Sequence, residues 1–155
     1  MKRIMIALFT TVLLASCSSD DDNANAQDAI VGSWTLIEAN SQFPIDLNND
    51  GTADPNFMIE VPCFKGSISF TDTARFSRTF SMIQIEEING VPTFTCDGNE
   101  VLTGTYEIVG SQIKLTIDGP EPTIASYAYV LEGDILKFTM PFGDFGNIEM
   151  VTKRD

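Results

Sequence analysis

The 155-residue chain contains no histidine. That absence removes Ser-His-Asp and Cys-His arrangements, together with the commonest general base. Basic side chains are scarce too: nine Lys and Arg stand against 22 Asp and Glu, a net charge of −13. A surface this acidic is repelled by phosphate backbones, whose binding needs Lys and Arg to neutralise charge, so nucleic acid is excluded as a partner. No Gly-rich phosphate loop is present. Carboxylates do lie near one another, as at Glu86-Glu87 and at Asp118 with Glu121. With so many acids such pairs arise by chance, and solvated faces are the default, so the chain is read as non-catalytic. Long apolar runs are also missing. The stretch Ile4 to Leu14 has 11 residues, too few for a hydrocarbon core that takes roughly 20 in a helix.

That stretch has another meaning. Lys2 and Arg3 precede it as a basic n-region, and Leu14-Ala15-Ser16 follows as a small-residue cleavage site before Cys17. Leu-Ala-Ser-Cys resembles the bacterial lipobox. The resemblance implies a signal peptide over residues 1–16 and a covalent lipid on Cys17, with palmitate among the acyl chains. Several chains matter, because a single one gives only marginal membrane binding. The alternative is an ordinary secretory signal with a chance cysteine. Residues 17–27 continue as Cys-Ser-Ser-Asp-Asp-Asp-Asn-Ala-Asn-Ala-Gln, polar, acidic and nearly free of bulky apolar groups, and are expected to be a disordered tether. The short acidic run resembles the surface-export signal of lipoproteins in the Bacteroidota, set against the alternative of a plain solvated spacer. The expected address is the outer membrane, held by lipid, with the cell surface favoured.

Removing residues 1–16 leaves 7 basic side chains against 22 acidic ones, a net −15, in 139 residues. That length suits one domain, assigned to residues 28–155. Two cysteines remain there, Cys63 and Cys96. In an oxidising compartment an even pair is most simply a disulfide, whereas a metal site lacks both histidine and a close cysteine pair.

Short alternating runs fill the domain. They are Gly32–Glu38, Ser67–Thr71, Ala74–Glu87, Val91–Cys96, Gly104–Ile108, Gln112–Ile117, Ile124–Leu131, Ile135–Met140 and Asn147–Thr152. In Gln112–Ile117 the apolar residues Ile113, Leu115 and Ile117 share one side. Asn89-Gly90 is the strongest hairpin signal, and the alternation slips phase near Met82 and Ile83. About eight strands at such spacing indicate an all-β antiparallel sandwich or barrel. Sequential hairpins favour an up-and-down barrel, which also removes exposed sheet edges.

Gly32-Ser33-Trp34 opening the first strand resembles the G-x-W signature of lipocalins. Gly104-Thr105-Tyr106, Gln112-Ile113-Lys114-Leu115 and Tyr129-Val130-Leu131-Glu132-Gly133-Asp134-Ile135-Leu136 are similar to the lipocalin-like domains of Bacteroidota lipoproteins. The resemblance spans most of residues 30–154. It implies that Trp34, with Gly32 in the same signature, closes the barrel floor and that Arg154 lies across the indole, both structural roles. The sequence departs from that pattern in an acidic insertion after the first strand.

The insertion reads Asp46-Leu47-Asn48-Asn49-Asp50-Gly51-Thr52-Ala53-Asp54, the front half of a calcium loop. Asp46, Asn48 and Asp50 would offer side-chain oxygens, and Thr52 its carbonyl. Phe57 stands where an EF-hand has its bidentate glutamate, leaving Asp54 or Glu60 to complete a Ca2+ shell, with no flanking helices. The alternative is an Asx-rich turn without an ion. Phe76, Phe80, Tyr127, Tyr129 and Phe138 are expected to face inward, and an eight-stranded interior either fills with side chains or holds one small ligand. Phe142 and Phe145 sit in a Gly-rich turn. The functional expectation is a membrane-anchored carrier of a small apolar ligand. The alternative is an envelope interaction protein with a filled barrel and a calcium-ordered loop, whose partner is another envelope protein or a glycan.

Overall fold

The computed structural model describes residues 26–155 apart from Gly90. The expected signal peptide, Cys17 and the tether as far as residue 25 lie outside the described residues. Residues 26–30 form a helix, α1, so the tether boundary is corrected: Ala26 and Gln27 belong to the helix. Ile30 is fully buried and Ala26, one turn earlier, packs on the same core. That i, i+4 pair is the apolar face that seats the helix.

Among the described residues nine strands follow: β1 (Gly32–Ile45), β2 (Asp54–Asn56), β3 (Gly66–Phe70), β4 (Arg75–Ile88), β5 (Val91–Val109), β6 (Gln112–Ile117), β7 (Thr123–Glu132), β8 (Ile135–Pro141) and β9 (Asn147–Arg154). From β3 onward each strand pairs antiparallel with the next. β1 pairs with β3 on one side and with β9 on the other, from Trp34↔Arg154 to Ser41↔Ile148, which closes the sheet. The three-residue β2 only extends that first side of β1, at Asn40 and Ile45. Eight strands therefore make the barrel, in the up-and-down plan of the lipocalin type.

Alternation in the sequence sets which side chains enter. Phe76 and Phe80 of β4, Ile113 and Leu115 of β6, and Leu136, Phe138 and Met140 of β8 are buried at every second position. Removing that apolar surface from water stabilises the barrel by about 25 cal/mol per Å2. Tyr127 and Tyr129 also face the core, half-buried. The middle of the barrel is packed: the void bounded by Ile68, Phe70, Arg78, Ile113, Leu115, Tyr127 and Phe138 is about 10 Å3. That is hardly room for one water.

The longest hairpin departs from the expected strand list. Val91–Cys96 and Gly104–Ile108 are parts of one 19-residue strand, β5. Asp97-Gly98-Asn99 looks like a turn but is absorbed as a bulge, since Ser81 pairs with Asn99 and Ile83 with Cys96. Two residues of β5 then oppose Met82, with Gly98 at φ 77°. The phase slip near Met82 has this cause. The hairpin closes at Ile88↔Val91 with Asn89 at φ 55°, the left-handed conformation such two-residue turns require. β3 supports β4 only from Phe76 to Phe80, and β6 supports β5 only from Gly104 to Val109. Residues 82–89 and 91–96 thus project beyond the barrel as a two-stranded ribbon.

A short helix, α2 (Phe57–Glu60), follows the acidic insertion, which corrects the expectation that no helix adjoins it. Asn56 caps it by accepting from the Met58 N–H at 3.1 Å. Among the described residues no helix is long and apolar enough to cross a membrane.

Candidate functional site: a cavity at the barrel mouth

Space for a ligand lies at one end of the barrel, not in its middle. A cavity of about 460 Å3 opens between the base of the ribbon, the end of β8 and the turn that follows it. Phe64, Phe80, Ile83, Met140, Phe142 and Phe145 give it apolar walls. They are held by a cluster of rings centred on Phe57, whose centroid lies 5.5 Å from Phe64, 5.4 Å from Phe142 and 5.3 Å from Phe145. Each contact is edge-to-face, the arrangement the ring quadrupole favours. The Phe142-Gly143-Asp144-Phe145 turn is therefore wedged against α2 and the barrel rim. Phe80 reaches its place because Gly66 is directly opposite on β3. A Cβ there would meet the Phe80 ring at 1.9 Å. Ile85, further along the ribbon, borders the cavity yet is 63% exposed.

One charged side chain enters this apolar surface. Arg78 lies between Phe76 and Phe80 on the inward face of β4 and borders both the mouth cavity and the small void beneath it. Its side chain is 10% exposed and its Nη2 donates to the Glu100 carboxylate at 2.9 Å, while that of Glu100 is 53% exposed. The guanidinium carbon sits 5.0 Å from the Phe80 ring centroid. Its Nε is buried with no hydrogen-bond partner, alone among the side-chain atoms of the described residues. Sequence reasoning passed over Arg78, although Phe76-Ser77-Arg78-Thr79-Phe80 carries the signal: a period of two puts the arginine on the aromatic face.

The opposite end is closed. Trp34 is fully buried, its Nε1 donates to the Ile30 carbonyl at 2.8 Å, and the Arg154 guanidinium lies 4.1 Å from its ring. Arg154 also donates to the carbonyls of Val31 and Ala29, at 2.6 and 2.7 Å. Gly32 adopts φ 140°, and a Cβ there would fall 2.8 Å from Arg154 Nη1. Glycine is thus required on two counts.

In the acidic insertion the oxygen side chains serve the loop's own backbone. Asp46 accepts from Gly51 N–H at 3.1 Å, Asn48 from Asp50 at 2.9 Å, Asp50 from Thr52 at 2.7 Å and Asp54 from Asn56 at 2.7 Å. Glu60 is 3% exposed, and its two carboxylate oxygens accept the N–H groups of Leu47, Asn48 and Asp54 at 2.9, 3.3 and 3.1 Å. Among the described residues no three His, Cys, Asp or Glu side chains converge as a metal site. Glu60 ties the insertion to α2 and hence to the Phe57 cluster. Glu60→Ala is expected to lower stability by about 2–3 kcal/mol, since three part-buried N–H groups lose a charged acceptor. A loss under about 0.5 kcal/mol in urea unfolding would show that water replaces the carboxylate without cost.

Cys63 and Cys96 are joined in a disulfide that spans 33 positions. Cys63 precedes the cavity residue Phe64, and Cys96 pairs with the cavity residue Ile83. Ser81 adds to this tie, its Oγ donating to the Cys63 carbonyl at 3.1 Å.

Burial raises the phenol pKa of Tyr106 above its usual 10.0, with the nearby charges of Asp28 and Asp72 adding to the effect. Its hydroxyl donates to the Thr71 carbonyl at 2.9 Å. A raised folded-state pKa favours the neutral phenol in the fold. Its contribution is complete below pH 10 and is lost as pH rises past that value. Tyr106→Phe is therefore expected to cost about 1 kcal/mol at neutral pH and to flatten the alkaline limb of the stability curve. An unchanged alkaline limb would assign that loss to other groups, Tyr129 first, whose phenol burial also raises.

No family model and no curated protein matches the chain. Solved structures of similar shape include the "REP1-NXSQ fatty acid transporter", at 14% identity over 83% of this chain and 97% of that one, TM-score 0.39. Fatty-acid-binding protein 1 of Echinococcus granulosus is 11% identical over 82% and 98%, TM-score 0.37. The fatty acid binding protein of Schistosoma mansoni, in complex with arachidonic acid, is 14% identical over 83% and 98%, TM-score 0.38.

Proposed function

We propose that the protein is a membrane-anchored carrier that holds one small apolar ligand at the mouth of its barrel. The observation that carries this reading is the cavity of about 460 Å3, with walls of Phe, Met and Ile side chains, at the end of an otherwise packed barrel. That volume falls within the roughly 300–1,000 Å3 of small-molecule sites. The partly exposed Ile83 and Ile85 fit the same reading, because apolar side chains facing an open cavity gain most when a ligand covers them. Cys17 supplies the anchor, through the lipidation its lipobox-like surroundings imply. On this proposal the protein sits at the outer membrane of a bacterium as a lipocalin-like lipoprotein, and residues between Cys17 and α1 set its distance from the bilayer.

Two measurements test the proposal. A polarity-sensitive alkyl fluorophore should bind the mature chain carrying Cys17→Ser with one site per molecule. Ile83→Trp, which fills the cavity, should weaken binding by about tenfold or more, a change of at least 1.4 kcal/mol. Equal binding by the filled variant would overturn the mouth as the ligand site. Mass spectrometry of the protein extracted from membranes should show acyl chains on Cys17, absent from Cys17→Ser. An unmodified Cys17 thiol would remove the anchor.

A further inference from the structure

We propose that the ligand is an amphiphile with a carboxylate head, and that Arg78 receives the head in exchange for Glu100. This rests on the carrier reading above and specifies its ligand. Arg78 is a cation nine-tenths buried in an apolar wall, and its Nε donor has no partner. A buried donor without an acceptor is costly, and native structures seldom keep one unless something else completes it. Water is a poor candidate for the void beneath, whose volume is about 10 Å3. The open mouth cavity, which Arg78 also borders, is where a ligand acceptor can be offered to it.

The chemistry of the acceptor follows from the guanidinium. Its Nε and a neighbouring Nη present two parallel N–H groups, the fork that a planar carboxylate matches with both oxygens. Glu100 engages only Nη2 and only through Oε2. Being 53% exposed, Glu100 loses little by turning back to water, for half-exposed ion pairs are weak. Arg78 has no such freedom, so the pairing is lopsided: the cation is held and its partner is replaceable. A ligand carboxylate arriving with its tail among Phe64, Phe80, Met140 and Phe142 would satisfy Nε, retain a counter-ion for Arg78 and release Glu100. A neutral head would leave Glu100 in place and Nε bare.

The test compares hexadecanoic acid with hexadecanol at pH 8, each displacing the alkyl fluorophore from the mature chain carrying Cys17→Ser. The native cavity should prefer the acid by about 10–100-fold, the value of a charge-assisted pair of hydrogen bonds. Arg78→Met should abolish the preference, acid and alcohol then binding within about twofold of each other, and measurable displacement by hexadecanol also reports that the variant is folded. Glu100→Gln, which leaves the buried guanidinium in place, should strengthen acid binding several-fold and leave hexadecanol unchanged. Equal affinity for acid and alcohol in the native protein, or a preference that survives Arg78→Met, overturns the proposal. Weaker acid binding in Glu100→Gln overturns the exchange. If neither amphiphile displaces the fluorophore, it is the carrier reading that fails; if both do so equally, only the carboxylate subsite fails.

Discussion

Trp34→Ala is expected to lower the free energy of unfolding by about 5 kcal/mol, combining the loss of a large buried ring with the loss of the cation lying over it. The indole is fully buried, and its removal leaves the Ile30 carbonyl without its donor and the Arg154 guanidinium over a void. Domains of this size are stable by about 5–15 kcal/mol, so the variant should be close to unfolding at room temperature. Far-UV circular dichroism in urea is the appropriate readout, because Trp34 is the chain's single tryptophan. Trp34→Phe separates the contributions: it keeps an aromatic ring and loses the Nε1 donor. Arg154→Met removes the cation and leaves the Val31 and Ala29 carbonyls without a donor. A cycle of Trp34→Phe and Arg154→Met should return a coupling of about 0.5–1 kcal/mol. A loss under about 2 kcal/mol for Trp34→Ala would mean that α1 collapses into the void, and that the floor is plastic.

The barrel itself was legible because its signal is local. Alternation of Ile113, Leu115 and Ile117 against Gln112, Lys114 and Thr116 needs no knowledge of neighbours to announce a half-buried strand. The floor was legible only through the resemblance of Gly32-Ser33-Trp34 to the lipocalin G-x-W signature, and its physical basis is now plain: Gly32 leaves room for the arginine that covers the indole. The disulfide followed from counting cysteines. Even the bulge announced itself, as a break in phase at Met82.

What escaped the sequence depends on three dimensions. Turn-like Asp97-Gly98-Asn99 stays within β5, because long strands tolerate an extra residue as a bulge and the partner strand decides whether one forms. The start of helix α1, Ala26 and Gln27, was taken for tether, because its apolar face rests on only Ala26 and Ile30 among polar neighbours. The cavity escaped as well, since its volume is set by how the 142–145 turn wedges against Phe57, a contact between positions more than eighty residues apart. Arg78 lay in plain view. No role was read for it, although its position between two phenylalanines expected to face inward assigned it to the interior.

Removing the disulfide, with Cys63→Ala and Cys96→Ala together, is expected to lower stability by about 3–4 kcal/mol, the chain-entropy value for a loop of 33–34 residues. The site should respond as well. Cys96 stands at the base of a ribbon that neither β3 nor β6 supports, and Cys63 adjoins Phe64 of the cavity wall. Without the bond the ribbon is held there by its own ladder, the Ser81 hydrogen bonds to the backbone of Cys63 and Lys65, and the Phe94–Phe145 contact. Hydrogen exchange distinguishes the two effects. If the bond acts locally, amides of the ribbon, residues 82–89 and 91–96, should exchange about tenfold faster or more than in the native protein under conditions where the barrel amides of β8 and β9 stay protected. Affinity for the alkyl fluorophore should fall in step. If ribbon and barrel amides accelerate together and affinity is unchanged below the unfolding transition, the disulfide stabilises only by restricting the unfolded chain. The cavity would then be shaped by the phenylalanine cluster alone.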